Sequence, residues 1–207
     1  MIQKLILAIV GCCALAAGIW LAQKPAVVLE ARVFEPVRVI KPFTLTNQHD
    51  QDLSNAYFDQ QWTLIFLGFT HCPDVCPTTL ARLASSYKKL KAAGLDNVQV
   101  LFVSVDPQRD DPARLKEYTE YFSKEFTAAT GGHADLFPFV RDLGLMYSMS
   151  EDTSLPEYNV DHSGAISLIN PNGQLHAMFK AKVELGGIPG VDMALLESEL
   201  LVLADRF

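Results

Sequence analysis

Cys72 and Cys76 stand four positions apart in the line Gly68-Phe69-Thr70-His71-Cys72-Pro73-Asp74-Val75-Cys76-Pro77. The line closes an apolar run and opens a helical pattern. A first helical turn that holds both cysteines stacks the two sulfurs on one face. Their Cα atoms would then lie roughly 6 Å apart, within disulfide range. The positive end of a helix favours thiolate over thiol, and thiolate is both the nucleophile and the soft-metal ligand. The pair can close a disulfide or hold a soft metal ion, and by itself it does not choose.

The surrounding elements must position these sulfurs. Phe43 to Thr46 reads as a short strand, and polar Asn47 to Asp52 as the turn of a small hairpin. Thr63 to Phe69 is a nearly continuous apolar run, as expected of a strand covered on both faces. Pro77 suits a first helical position, and Leu80, Leu83, Ala84, Tyr87 and Leu90 follow at helical spacing toward a stop at Gly94. Val98 to Val105 is a second buried strand. Asp111-Pro112 caps a helix carrying Leu115, Tyr118 and Phe122, and Phe126 to Thr130 reads as a short edge strand. Leu136, Phe139, Val140, Leu143 and Tyr147 mark another helix. Ala165–Asn170 and Gln174–Phe179 are strands joined at Pro171-Asn172-Gly173, and Asp192 to Leu203 is a final helix. A strand–helix–strand unit demands parallel pairing, while the closing hairpin adds antiparallel strands. The expected fold is α/β and thioredoxin-like: a mixed central sheet flanked by helices, with the cysteines between the first core strand and the first core helix.

In that plan the loop Tyr158-Asn159-Val160-Asp161-His162-Ser163-Gly164 lies beside the cysteine turn. Thiol oxidoreductases of this fold usually place a proline there; this chain places His162. Of the five histidines, His71 adjoins Cys72 and points elsewhere. His49 and His133 read as solvated loop residues, and His176 as a strand-face residue. Two thiolates and one imidazole suit copper, since sulfur favours Cu(I) and nitrogen also accepts Cu(II). A closed zinc site wants a fourth protein ligand, for which only Asp74, Asp161 or Met149 stands nearby in sequence. Asp161 suits an orienting role for the imidazole, and Met146 and Met149 read as helix packing.

Composition narrows the class. The chain has 207 residues and a net charge of −7, with scattered basic residues, which argues against nucleic acid as a partner. Leu5 to Ala22 carries no charge and is long enough to cross a hydrocarbon core of about 30 Å. The run is longer than a signal-peptide core, so residues 1–25 are expected to be a retained transmembrane anchor, 26–41 a tether and 42–207 the folded domain. Lipidation at Cys12, after Ile9-Val10-Gly11, is the lesser alternative. Of four cysteines, Cys12 and Cys13 fall in the apolar segment, leaving Cys72 and Cys76 for the exported domain. A lone pair this close encloses too small a loop to stabilise much, so its purpose is chemical.

Three motifs together resemble the Sco/SenC family of copper-site assembly proteins: the cysteine line, then Val103-Ser104-Val105-Asp106-Pro107-Gln108-Arg109-Asp110, then Val160-Asp161-His162-Ser163. Their order and spacing fit from Phe34 to Ala204. The resemblance implies a copper site of Cys72, Cys76 and His162 on a domain held at the inner membrane and facing the periplasm. It implies a metallochaperone for the dinuclear copper centre of cytochrome c oxidase, with that oxidase's copper-site subunit and other copper or thiol-redox proteins as partners. Asp106, Arg109 and Asp110 match a family motif and read as loop and cap structure. A thiol–disulfide oxidoreductase that reduces the target cysteines, and a copper or redox sensor, remain as alternatives. A peroxidase is disfavoured, because no separate resolving cysteine exists.

Overall fold

The structure is a computed structural model that describes residues 29–149, 158–182 and 189–207; the expected anchor, with Cys12 and Cys13, lies outside them. Among the described residues, no helix is long and apolar enough to cross a membrane.

The run Trp62–Gly68 is buried along its whole length, as a strand covered on both faces must be. In chain order the strands are β1 (Arg32–Val39), β2 (Thr44–Asn47), β3 (Asp52–Ser54), β4 (Trp62–Gly68), β5 (Val98–Ser104), β6 (Thr127–Thr130), β7 (Tyr147–Met149), β8 (Val160–His162), β9 (Ile166–Ile169) and β10 (Gln174–Phe179). The helices are α1 (Val75–Ala92), α2 (Pro112–Glu120), α3 (His133–Asp142) and α4 (Met193–Arg206), with a 3-10 turn at Asn55–Phe58. Eight strands form one sheet in the order β1-β10-β9-β4-β5-β6-β2-β3, and β7 and β8 form a separate pair. β4, β5 and β6 are mutually parallel, connected through α1 and then α2, whereas β9 joins β4 antiparallel. The β9–β10 turn holds Gly173 at φ +73°, a left-handed backbone that favours glycine.

Alternation along β4 builds two cores. Leu64 and Phe66 pack with Leu80 and Leu83 of α1 and Leu196 and Leu200 of α4. Ile65 and Leu67 face the other way, toward Leu136, Phe139 and Val140 of α3. Cys72 touches both clusters, because it sits at the end of the sheet where the two faces meet. This is the thioredoxin-like plan expected above.

Three expectations change. The tether read over 26–41 is an edge strand across Arg32–Val39, paired antiparallel with β10. Pro36 falls in the register break between Val33 and Arg38, and an edge bulge is where a strand tolerates a missing N–H. Just before β1, the buried carboxylate of Glu199 in α4 accepts the backbone N–H groups of Glu30 (2.6 Å) and Ala31 (2.9 Å). Phe126–Thr130, read as an edge strand, forms β6 over Thr127–Thr130 and lies inside the sheet because β2 covers its outer side. The helix read through Tyr147 ends at Asp142; Gly144 then adopts φ +74°, and Tyr147 begins β7. Met149 therefore belongs to a strand, and Met146 is 75% exposed rather than packed on a helix.

Candidate metal centre

Cys72 lies in the turn after β4, three residues ahead of α1, so only Cys76 rides on the helix. The sulfurs converge for a different reason from a shared helical face. The Cys76 N–H donates to Cys72 Sγ (3.4 Å), so the thiol caps a helix whose Asp74 side chain makes no capping bond. The Cys72 N–H closes the turn on the Phe69 carbonyl (3.3 Å). Pro77 falls third in α1, within the first turn where no intrahelical N–H bond is lost. Cys76 is fully buried, Cys72 half-buried, and both thiols are free. Gly68 makes the room: a Cβ there would lie 2.8 Å from Cys76 Sγ and 2.6 Å from the Phe102 ring.

His162 ends β8 opposite Tyr147 of β7, so the segment read as a loop is a short strand. Its Nε2 stands 3.4 Å from Cys76 Sγ, and its Nδ1 3.2 Å from the Ser163 carbonyl oxygen. A carbonyl only accepts, so this bond uses a proton on Nδ1 and leaves Nε2 as the nitrogen that faces the sulfurs. Phe66 and Phe69 stand edge-on to the imidazole, each with centroids 6.0 Å away. The donor atoms of Cys72, Cys76 and His162 all lie within 4.8 Å of one another, and no other such group of three or more His, Cys, Asp or Glu donors is found among the described residues.

The two thiols share one charge unevenly. The hydrogen bond with the Cys76 thiol, helped by His162 and the N–H groups of Cys76 and Asp74, brings the Cys72 thiol down to about 4 against the opposing effect of burial. The same pairing, with burial and the Cys72 charge, pushes the Cys76 thiol up. A ready thiolate therefore sits on the more exposed sulfur.

A buried polar network underlies the turn. Asp110, fully buried, accepts Thr70 N–H (2.9 Å), Thr70 Oγ1–H (2.6 Å) and Ser104 Oγ–H (2.6 Å). Thr70 precedes Cys72 by two residues, so this carboxylate fixes the approach to the first sulfur. Asp106, also fully buried, accepts from Arg109 Nε (2.5 Å) and from the Tyr158 hydroxyl. The Asp106–Asp110 segment thus does more than shape its own loop: it reaches both the cysteine turn and the chain leading to His162. The motif hinted at these residues, but their contacts span 40 and 52 positions and leave no local signal.

The remaining candidates stay apart from the cluster. His71 is exposed, with Nδ1 3.2 Å from Thr70 Oγ1. Asp74 and Asp161 are exposed and outside the donor group. His133 opens α3 and meets the Tyr147 hydroxyl at 2.9 Å rather than solvent alone. His176 packs edge-on against Trp62 and Phe207, which also meet each other. Cys72 and His162 line a cavity of about 290 Å³ with Phe69, Pro73, Val160 and Pro189, and Cys76 does not reach it. A larger cavity of about 650 Å³ between α1 and α4, lined by Arg82, Lys89, Asp192 and Glu197, holds none of the three donors.

Known proteins resemble this chain in sequence and fold. The family model described as SCO1/SenC matches residues 33–186. A Stutzerimonas stutzeri protein named, provisionally, for copper binding is 34% identical over 162 residues, 78% of this chain and 79% of that one. The mouse mitochondrial SCO2 homologue is 39% identical over 132 residues, 63% of this chain and 52% of that protein, so the chain spans about half the length of such mitochondrial relatives. The crystal structure of Arabidopsis thaliana ScoI with copper bound superposes with a TM-score of 0.71 at 26% identity, covering 82% of this chain and 99% of that one.

Proposed function

The chain belongs to the SCO1/SenC family, and from that premise we propose that it is a copper metallochaperone serving the dinuclear copper site of cytochrome c oxidase. The observation that carries this reading is the convergence of two sulfurs and one imidazole nitrogen within 4.8 Å. Copper is the cargo, and Cys72, Cys76 and His162 are its ligands. Two soft sulfurs hold Cu(I), and the nitrogen extends the set to Cu(II). Loading releases the thiol proton that the Cys72–Cys76 pair retains. Three protein donors leave room for a fourth. A thiolate of the oxidase's copper-site subunit approaches through the cavity that Cys72 and His162 line. As the new sulfur–copper bond forms, one of these donors lets go, and the ion leaves in its original oxidation state. Residues 1–25 are a single-pass anchor in the inner membrane, supported by the uncharged run Leu5–Ala22, and the domain from Arg32 onward works in the periplasm.

The free, half-buried Cys72 and its lowered thiol pKa also favour a second activity on the same pair. The Cys72 thiolate attacks a partner disulfide, a mixed disulfide forms, and Cys76 resolves it. The partner leaves as a dithiol, and Cys72–Cys76 is left oxidised. The oxidised form cannot load copper, so the two activities exclude each other in time. The test is Cu(I) affinity by chelator competition on the purified reduced chain and on Cys72→Ser, Cys76→Ser and His162→Ala. One copper bound per chain, lost in each variant, supports the reading; wild-type affinity in all three overturns it.

A further inference from the structure

Among the described residues, β8 lies outside the eight-stranded sheet and pairs only with β7. The position of His162 over the cysteine turn therefore depends on side-chain contacts as well as on ladder bonds. One residue bridges the two segments. The Arg109 guanidinium stands 3.6 Å from the centroid of the Tyr158 ring, two residues before β8, and 5.6 Å from that of Phe69, at the head of the cysteine turn. Asp106 locks the stack by accepting from both Arg109 and the Tyr158 hydroxyl. Phe69 continues the chain of contacts, since its ring stands edge-on to His162 and its carbonyl accepts the Cys72 N–H.

Arg109 is also poorly served for a merely structural residue. Its Nη2 is buried with no hydrogen-bond partner among the described residues, a cost that an apolar side chain filling the same space would avoid. We propose that Arg109 is a positioning residue: sandwiched between Tyr158 and Phe69, it holds the imidazole of His162 in register with the two sulfurs. The cysteine turn has its own fastening through Asp110 and Thr70, so loss of Arg109 falls on the imidazole side of the site.

The inference rests on the copper reading above, and a double-mutant cycle separates the two. Cu(I) affinity is measured by chelator competition on the full chain as wild type, Arg109→Met, His162→Ala and the double variant. Arg109→Met is expected to weaken binding about tenfold when His162 is present, and to add no loss in the His162→Ala background. It is also expected to move the visible Cu(II)–thiolate absorption toward that of His162→Ala. An equal loss in both backgrounds, or none in either, overturns the positioning role and leaves the copper reading intact. Wild-type affinity in His162→Ala overturns the copper reading, and this inference with it. Should Arg109→Met not fold, Tyr158→Leu removes the other half of the stack, and the same cycle decides on the same outcomes.

Discussion

Replacing Asp110 tests whether a buried carboxylate holds the cysteine turn in place. Asp110→Ala leaves three donors behind: the Thr70 N–H, the Thr70 hydroxyl and the Ser104 hydroxyl. The Thr70 hydroxyl can turn to His71 Nδ1, 3.2 Å away, but the backbone N–H has no rotation to exploit. Hydrogen bonds to a charged acceptor contribute about 1.5–3 kcal/mol each, and a stranded buried donor costs about 1–3 kcal/mol. Removing a buried charge returns part of its desolvation cost. A net loss of roughly 3 kcal/mol follows, or about 6–12 °C in Tm for a domain of this size. Asp110→Asn keeps an oxygen for two of the bonds and presents an NH2 to a hydroxyl that can accept, so it should lose only about 1 kcal/mol. Thermal unfolding of the reduced, metal-free protein gives the stability, and Cu(I) competition gives the site. Alanine and asparagine variants of equal stability would refute the hydrogen-bond assignment. A folded alanine variant with unchanged copper affinity would refute the link from this carboxylate to the sulfurs.

Three further outcomes are expected. His162→Ala should weaken Cu(I) binding about a hundredfold while largely sparing reduction of a partner disulfide; retained copper affinity removes His162 from the ligand set. Gly68→Ala forces a methyl against Cys76 Sγ and the Phe102 ring. It should cost about 1–3 kcal/mol in denaturant unfolding and weaken copper binding, and wild-type behaviour in both would contradict the packing. Cys72 titrates in the folded protein well below its value in the unfolded chain. The stability it contributes is therefore fully present above the unfolded pKa and lost as pH falls through about 4. The reduced, metal-free protein should lose more stability than Cys72→Ser between about pH 8 and pH 5. Its ultraviolet thiolate absorbance should persist across that range, and an absorbance lost near the ordinary thiol range would refute the assignment.

What the sequence made legible was local pattern and the fold plan that it implies. The strand–Cys–helix order and the turn at Pro171–Gly173 follow from short-range pattern and spacing, and the placing of His162 beside the sulfurs, 86 positions on from Cys76, follows from the thioredoxin-like plan. What it hid was long-range or conflicted. β1 carries Pro36, whose local preference opposes a strand until an edge and a bulge accommodate it. β8 has three residues, too few to show alternation. The sulfurs converge through a Cys76 N–H bond to Cys72 Sγ rather than through a shared helical face, a detail of one turn that spacing does not encode. Gly68 matters because of a helix and a ring that arrive from elsewhere, and Asp110 because it meets Thr70 across 40 positions.

The grip of Glu199 on Glu30 and Ala31 sets a short leash. With the membrane segment proposed to finish at Pro25, residues 26–30 reach no more than about 18 Å even when pulled straight. Ala181 borders both the crevice beside that fastening point and the cavity at the donor set. On that proposed anchor the cargo would be carried close to the lipid surface on a stalk too brief to let the head roam, and an acceptor would have to offer its sulfurs at that same height.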